Sequence, residues 1–163
     1  MIGKSALLLS TMCFSYGQFL VFDHSVALPG CAWTEVHFRQ GFARRERNVC
    51  FGTLLEFGHA ELAVYLGPCE SQDDYERVVE VPIEVSSGQV GIQGPEEVGS
   101  QRFVELKKGH YRLVAAQVVT DEEQEAIAIF FELLAKPITC SQVLVADDAL
   151  DPPATLIESV EIA

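Results

Sequence analysis

Positive charge is scarce in this sequence. Its 163 residues include 11 Lys and Arg against 24 Asp and Glu, which gives a formal net charge of −13 at pH 7. A surface this acidic repels a phosphate backbone, so the composition argues against nucleic-acid binding. The same surface attracts positively charged proteins and speeds their association, so we expect a basic protein partner.

Motifs for catalysis and for metal binding are missing. The four histidines lie in different segments, and no HxH, HExxH or CxxC spacing joins metal ligands. The sequence also has no Gly-x-Ser-x-Gly, and no cysteine stands in a recognised catalytic context. We therefore expect no enzyme activity, no catalytic residue, no metal and no cofactor. A cysteine–histidine pair assembled only by the fold is the alternative that spacing leaves open.

Long apolar runs and a disulfide pattern are absent as well. No run approaches the roughly 20 apolar residues that span a bilayer, so we expect no membrane insertion. Lys4 and the apolar residues 6–9 imitate an export signal, but the run is too short and no Ala-x-Ala follows. The five cysteines are odd in number and widely spaced, which favours buried thiols in a reducing compartment. These features predict a cytoplasmic protein.

What the chain does contain is a recurrent alternation of apolar and polar residues. The aromatic-rich run 12–23 is apolar on both faces and predicts one strand well inside a sheet. Further strands are predicted at 49–56, 60–66, 79–85, 89–93, 102–106, 110–119, 126–134, 142–146 and 155–162. For 126–134 a helix is the alternative. Pro82 cannot donate a hydrogen bond and places strand 79–85 at a sheet edge.

Only one short helix is expected, near residues 34–41. Thr34 can cap its start, and Gly41 can end it. Many short strands with so little helix predict an all-β fold, an antiparallel β-sandwich of jelly-roll-like type. Because the chain shows no repeat and no linker, residues 1–163 are expected to form a single domain.

Several short motifs resemble the competence protein J (ComJ) family. They are Ser15-Tyr16-x-Gln18-Phe19-x-Val21-Phe22, Trp33-Thr34, Gly41-Phe42-Ala43, Tyr75-Glu76-Arg77-x-Val79-x-Val81-Pro82 and Lys108-Gly109-x-Tyr111-Arg112-Leu113. The resemblance covers roughly residues 15–134, and the segment after Lys136 lies beyond it. The family includes an intracellular inhibitor of a membrane-associated DNA-entry nuclease. The resemblance therefore implies a small protein that binds a nuclease and blocks it, without chemistry of its own.

The resemblance assigns no functional residues, and the motif positions are expected to be structural. They are Tyr16, Gln18, Phe22, Trp33, Gly109 and Tyr111. Tyr16 and Gln18 are predicted to form a buried, hydrogen-bonded pair. Trp33 fits either a core-filling side chain or an anchor in an interface.

Acidic residues supply a mechanism for inhibition, because clustered carboxylates can occupy the Lys- and Arg-lined cleft of a nuclease. Residues 1–59 hold five basic and four acidic side chains, whereas residues 60–163 hold six basic and twenty acidic ones. The candidate partner-binding residues are Asp73, Asp74, Asp121, Glu122, Glu123, Glu125, Asp147, Asp148, Asp151 and Trp33. Each acidic cluster also fits an ordinary solvated loop.

A second function class is a sandwich that binds a small molecule, a sugar or a lipid, or that serves as a structural module. This hypothesis predicts a deep apolar pocket lined by aromatic residues. Candidates for that lining are Phe14, Tyr16, Phe22, Phe130 and Phe131. A packed core without such a cavity would contradict it.

Overall fold

Two β-sheets stacked face to face make up the fold in the computed structural model, which describes residues 5–97 and 102–160. The strands are β1 (Leu8–Phe14), β2 (Gln18–Asp23), β3 (Phe42–Arg45), β4 (Asn48–Gly52), β5 (Gly58–Leu66), β6 (Arg77–Val85), β7 (Gln89–Gln93), β8 (Phe103–Glu105), β9 (Gly109–Asp121), β10 (Gln124–Leu134) and β11 (Gln142–Val145). Helix α1 spans Glu35–Gln40. No helix in these two ranges is long and apolar enough to cross a membrane.

Both sheets are mainly antiparallel. Sheet A has six strands in the order β1-β5-β10-β9-β6-β11, and sheet B has five in the order β3-β4-β2-β7-β8. One pair, β5 with β10, is parallel. The predicted all-β sandwich with one short helix is confirmed, and residues 126–134 belong to a strand rather than to the alternative helix.

The core lies between the sheets and follows the predicted period of two. Every second residue of β6, from Val79 to Val85, is buried there, with Leu113 of β9 and Phe131 of β10 beside it. Phe19 and Phe51 from sheet B stack with ring centroids 5.3 Å apart. A filled interior of this kind stabilises the fold mainly by removing apolar surface from water.

The run 12–23 forms two strands, so the prediction of one strand is wrong. β1 belongs to sheet A and β2 to sheet B, and the chain changes sheets at a turn over residues 15–17. β2 is apolar on both faces because Phe19 and Val21 enter the main core, while Leu20 and Phe22 pack in a second cluster under Trp33. The sequence pattern is the same as that of one long buried strand, which explains the error.

Residues 67–76 form a connection that runs over the outer face of sheet A. β5 and β6 are parallel, because β10 is parallel to β5 and is separated from β6 by the antiparallel strand β9. The chain must therefore return along the sheet between them. Tyr75 on this connection packs on an apolar cluster that includes Phe130, whose ring stacks on Tyr65 at 5.2 Å.

Strand β6 is next to last in sheet A, so its predicted edge position is wrong. β11 lies outside it but pairs only with Val78, Val79 and Glu80. Pro82 lies beyond these pairs, where no ladder hydrogen bond is required of it, and this position is why the sheet tolerates the proline.

Residues 137–160, which we call the C-terminal strap, bind both sheets. β11 joins sheet A, and the side chain of Gln40, at the end of α1, exchanges hydrogen bonds with the backbone of Ile157 at 2.9 and 3.1 Å. Arg44 of β3 pairs with Glu158 at 3.2 Å. The predicted strand over 155–162 is wrong for residues 155–160, which have no strand, and residues 161 and 162 lie outside the described ranges.

All five cysteines are free thiols. Cys31 and Cys50 are buried as expected, but Cys13 and Cys140 are exposed, and Cys69 is half-buried. The expectation of buried thiols is therefore correct for two of the five cysteines and wrong for Cys13 and Cys140. Cys13 sits on β1, where alternate side chains leave the core, so its apolar neighbours in sequence did not indicate burial.

Candidate protein-binding end

One end of the sandwich brings together acidic segments that are far apart in the sequence. The tight β9–β10 turn places Asp121, Glu122 and Glu123 there. β6 starts at the same end, because Arg77 pairs in register with Gln117 near the end of β9.

Arg77 connects this end of sheet A to the other sheet and to the C-terminal strap. Its guanidinium donates to the carbonyl oxygen of Gly52, at the end of β4, at 3.0 Å. It also binds both carboxylate oxygens of Asp147, at 2.7 and 3.1 Å. We call this end of the sandwich the acidic end. Its exposed carboxylates belong to Glu56, Glu76, Asp121, Glu122, Glu123, Asp148 and Asp151.

Close backbone contacts fix the β9–β10 turn against the start of β5. The His59 N–H donates to the Glu123 carbonyl at 2.9 Å. A Cβ atom on Gly58 would overlap that same carbonyl oxygen, so only glycine allows this approach. On the other side, the Glu76 carboxylate accepts a hydrogen bond from the Val119 N–H at 2.7 Å. These contacts hold the backbone of the turn in place and so fix the positions from which its carboxylates extend.

Glu125 is fully buried, which contradicts its prediction as a partner contact. Its carboxylate faces the loop after β4 and accepts hydrogen bonds from the N–H groups of Leu54 and Leu55, both at 3.1 Å. Burial raises the pKa of Glu125 to about 7, although these two hydrogen bonds and the nearby charge of Arg77 oppose the rise. The period of two could have indicated this burial, because Glu125 is in phase with the buried Ile127.

Asp147 is also largely withdrawn from the surface. Its side chain is 17% exposed and is held by Arg77, whose own side chain is 4% exposed. Burial raises the pKa of Asp147, but the hydrogen bonds and charge of Arg77 outweigh it and hold the pKa below the usual value. Asp148 and Asp151 are exposed, and Asp151 lies 3.5 Å from Arg39 of α1. Only these two carboxylates of the run are available to a partner.

Asp73 and Asp74 lie on the connection over sheet A, at the margin of the acidic end. Both are exposed, and Asp74 accepts a hydrogen bond from the Ser71 hydroxyl at 2.8 Å. Three residues after Asp73, the Glu76 N–H donates to the Gln117 carbonyl at 2.9 Å and joins the connection to the acidic end.

Trp33 is half-buried near the acidic end and combines two interactions. Its indole N–H donates to the Gln18 side chain at 2.9 Å, and its ring stacks on Phe38 with centroids 5.0 Å apart. Gln18 therefore pairs with Trp33 and not with Tyr16, which is 68% exposed. The predicted buried Tyr16–Gln18 pair is wrong, because the turn at residues 15–17 changes the phase of the alternation.

The other motif positions lie away from this end or inside the fold. Phe22 is buried on the outer side of β2. Gly109 starts β9 with a φ of 155°, and Tyr111 is buried with its hydroxyl donating to the Lys107 carbonyl.

Two exposed aromatic side chains were not among the predicted partner-binding residues. Phe57 is 59% exposed in the loop before β5, and Phe38 is 61% exposed on α1. The available signal was the position of Phe57 between the predicted strands 49–56 and 60–66, where a large apolar side chain has no core to enter.

The aromatic residues proposed to line a ligand pocket do not surround a common cavity. Phe14 and Phe131 lie in the core between the sheets, whereas Phe22 and Phe130 belong to separate clusters on the outer faces. Tyr16 is exposed. A groove of about 540 Å³ on the outer face of sheet A includes none of the five in its lining. Within residues 5–97 and 102–160, no group of three His, Cys, Asp or Glu side chains could hold a metal ion.

Comparisons with known proteins agree with this fold. The family model of competence protein J (ComJ) matches residues 11–136. The crystal structure of ComJ, inhibitor of the DNA degrading activity of NucA, from Bacillus subtilis, aligns with a TM-score of 0.69 and 23% identity over 82% of this chain and 100% of that chain. The structure of crocagin biosynthetic gene J aligns with a TM-score of 0.50 and 12% identity over 79% of this chain and 98% of that chain. No curated protein matches the sequence.

Proposed function

Because the chain belongs to the competence protein J family, we propose that it is a non-enzymatic cytoplasmic protein that binds a basic DNA-degrading nuclease and inhibits it. The Bacillus subtilis relative, an inhibitor of the DNA degrading activity of NucA, supports this proposal. The observation that carries it is the acidic end, where seven exposed carboxylates converge from four separate chain segments.

Charge is distributed unequally along the strands. The arginines identified at the acidic end, Arg39 and Arg77, are both paired with aspartates. Other basic side chains lie toward the opposite end, in the β3–β4 hairpin and in the segments before β9 and after β10. They are Arg45, Arg47, Lys107, Lys108 and Lys136, of which Arg47 is paired with Glu84 at 2.9 Å. This separation gives the molecule one end suited to a positively charged surface.

A nuclease that holds DNA needs Lys and Arg side chains to bind phosphates. The acidic end can occupy such a cleft, pair with these side chains and exclude the DNA backbone sterically. The braced β9–β10 turn supports this mechanism, because a carboxylate held in place loses less conformational freedom on binding than one on a mobile loop.

The experiment is a DNA-degradation assay with a purified NucA-related nuclease from the organism that encodes the chain. The unmodified chain in molar excess at low salt should inhibit it. The triple variant Asp121→Asn, Glu122→Gln, Glu123→Gln should raise the inhibition constant about tenfold, because these carboxylates contact the cleft. The matched control Glu46→Gln, Glu70→Gln, Glu105→Gln changes net charge equally but lies elsewhere, and it should change the constant less than about threefold.

Full nuclease activity in the presence of excess unmodified chain would overturn the proposed function. Equal losses of inhibition in the triple variant and in its control would overturn the assignment to the acidic end, since net charge alone would then account for binding.

A further inference from the structure

Tyr16 and Phe57 expose large aromatic surfaces at the acidic end. Their side chains are 68% and 59% exposed. The backbones that carry them are joined, because the Gly17 N–H donates to the Glu56 carbonyl at 2.7 Å and the Thr53 N–H donates to the Gly17 carbonyl at 2.8 Å. The turn over residues 15–17 and the loop 53–57 therefore form one surface, which we call the aromatic tip.

Carboxylates flank the aromatic tip. Glu56 precedes Phe57 directly and is exposed. On the other side, Gly58 approaches the backbone of Glu123 closely, and His59 bonds to its carbonyl at 2.9 Å. Aromatic side chains surrounded by charged ones are typical of the centre and rim of a protein interface.

The aromatic tip rests on a buried polar support. Glu125 accepts the N–H groups of Leu54 and Leu55, and Arg77 donates to the carbonyls of Gly52 and Thr53 at 3.0 and 3.4 Å. Both charged side chains are at least nine-tenths buried. Because buried side chains hold the backbone of this loop in place, its exposed side chains lose little conformational freedom on binding.

Neither packing nor turn chemistry explains the tyrosine at position 16. It has a φ of 56° and is the one non-glycine residue with positive φ in residues 5–97 and 102–160. With Gly17 at φ 63° it forms a tight turn closed by the Gln18 N–H to the Ser15 carbonyl, where asparagine or glycine is the favoured residue. A large side chain that is both unfavourable for the turn and exposed requires another role.

We propose that Tyr16 and Phe57 are apolar anchors that insert into hollows on the nuclease beside its phosphate-binding cleft. This inference rests on the proposed function and adds the residues that hold the complex together. The partner it requires has an apolar rim next to a cluster of Lys and Arg. The carboxylates direct the approach, and the two rings slow dissociation.

Three single variants test the anchors against the same purified NucA-related nuclease. Tyr16→Asn, a substitution that the turn favours, should keep or raise the melting temperature and still increase the dissociation constant at least about tenfold, through faster dissociation. Phe57→Ser should have a similar effect on binding. The control Leu28→Ser removes a side chain that is 67% exposed at the opposite end, and it should change the constant less than about twofold.

The inference is overturned, and the proposed function stands, if the unmodified chain binds and inhibits the nuclease while Tyr16→Asn binds equally well. If Phe57→Ser does not fold, Tyr16→Asn alone decides the question. If the unmodified chain does not bind the nuclease, the proposed function and the anchors are overturned together.

Discussion

At the scale of single residues, the fold shifts the pKa values of two buried carboxylates in opposite directions. Asp23 accepts hydrogen bonds from Ser86 and Ser87 N–H groups at 2.9 and 3.1 Å and from serine hydroxyls. Although burial raises the pKa of Asp23, these donors outweigh it and lower the pKa to about 2. Glu125 has only two backbone donors, so burial prevails and raises the pKa to about 7.

Glu125 makes the stability of the fold depend on pH near neutrality. Its pKa rises from 4.5 to about 7 on folding, so over this interval the folded chain holds a proton that the unfolded chain has released. The stabilising contribution is full below pH 4.5 and is lost as the pH rises through 7. From pH 5 to pH 8, we expect this group to lower the free energy of unfolding by about 2 to 3 kcal/mol.

Urea unfolding of the unmodified chain and of Glu125→Gln at pH 5, 6, 7 and 8 measures this contribution. The glutamine cannot ionise, so the difference in unfolding free energy between the two proteins should shift in favour of the variant as the pH rises. Titrating histidines, such as the buried His37, affect both proteins and cancel in the difference. A difference that is constant from pH 5 to pH 8 would contradict the raised pKa.

At the scale of elements, an ion pair at the acidic end is one of the contacts that hold the C-terminal strap. Asp147→Asn leaves the nearly buried Arg77 without its full charge partner, so we expect a loss of about 2 kcal/mol in the free energy of unfolding. The neighbouring Asp148 is exposed. Asp148→Asn is therefore the matched control, with an expected change within about 0.5 kcal/mol.

Urea unfolding at pH 7 separates these two variants. Equal stability of Asp147→Asn and Asp148→Asn would show that the strap does not depend on the Arg77–Asp147 pair.

Sequence periodicity was sufficient for most strands, because a strand that faces a core on one side must alternate. The burial of every second residue of β6, from Val79 to Val85, was predictable for this reason. The break between β1 and β2 was not, because a tyrosine at positive φ has no signature in an apolar run. The pairing of β5 with β10 was also out of reach, since parallel pairing depends on contacts between residues far apart in the chain.

The negative charge of the candidate site was predictable, but which of its carboxylates are exposed and which are paired was not. Asp121, Glu122 and Glu123 are exposed in a turn, as their run of polar neighbours indicated. Asp147 belongs to the same acidic run as Asp148, yet it is engaged by Arg77, which lies 70 positions earlier in the chain. Arg77 can be identified as the partner of Asp147 only from the fold, which brings the two side chains together. Sequence likewise did not reveal that Tyr16 and Phe57 share one surface.

At the scale of the whole molecule, exposed carboxylates are concentrated at the acidic end, and this has a kinetic consequence. A basic partner is oriented toward the acidic end before contact, so the association rate constant should fall steeply as salt is added. The triple variant Asp121→Asn, Glu122→Gln, Glu123→Gln should associate about tenfold more slowly at low salt and show a weaker salt dependence.

Stopped-flow association with the NucA-related nuclease at several salt concentrations tests this expectation. Tyr16→Asn serves as the comparison, because it leaves every charge in place and should keep the association rate of the unmodified chain. A salt-independent association rate for the unmodified chain would show that charge separation does not guide the encounter.

The outer side of β6 offers little for another molecule to pair with. β11 occupies it from Val78 to Glu80, Pro82 has no N–H, and the Glu84 N–H already donates to the Glu46 carbonyl at 3.0 Å. Unprotected strands of this kind act as templates on which identical chains polymerise. Here the strap, one proline and one hairpin carbonyl each block part of the template, so this acidic chain can accumulate without assembling into fibres along this strand.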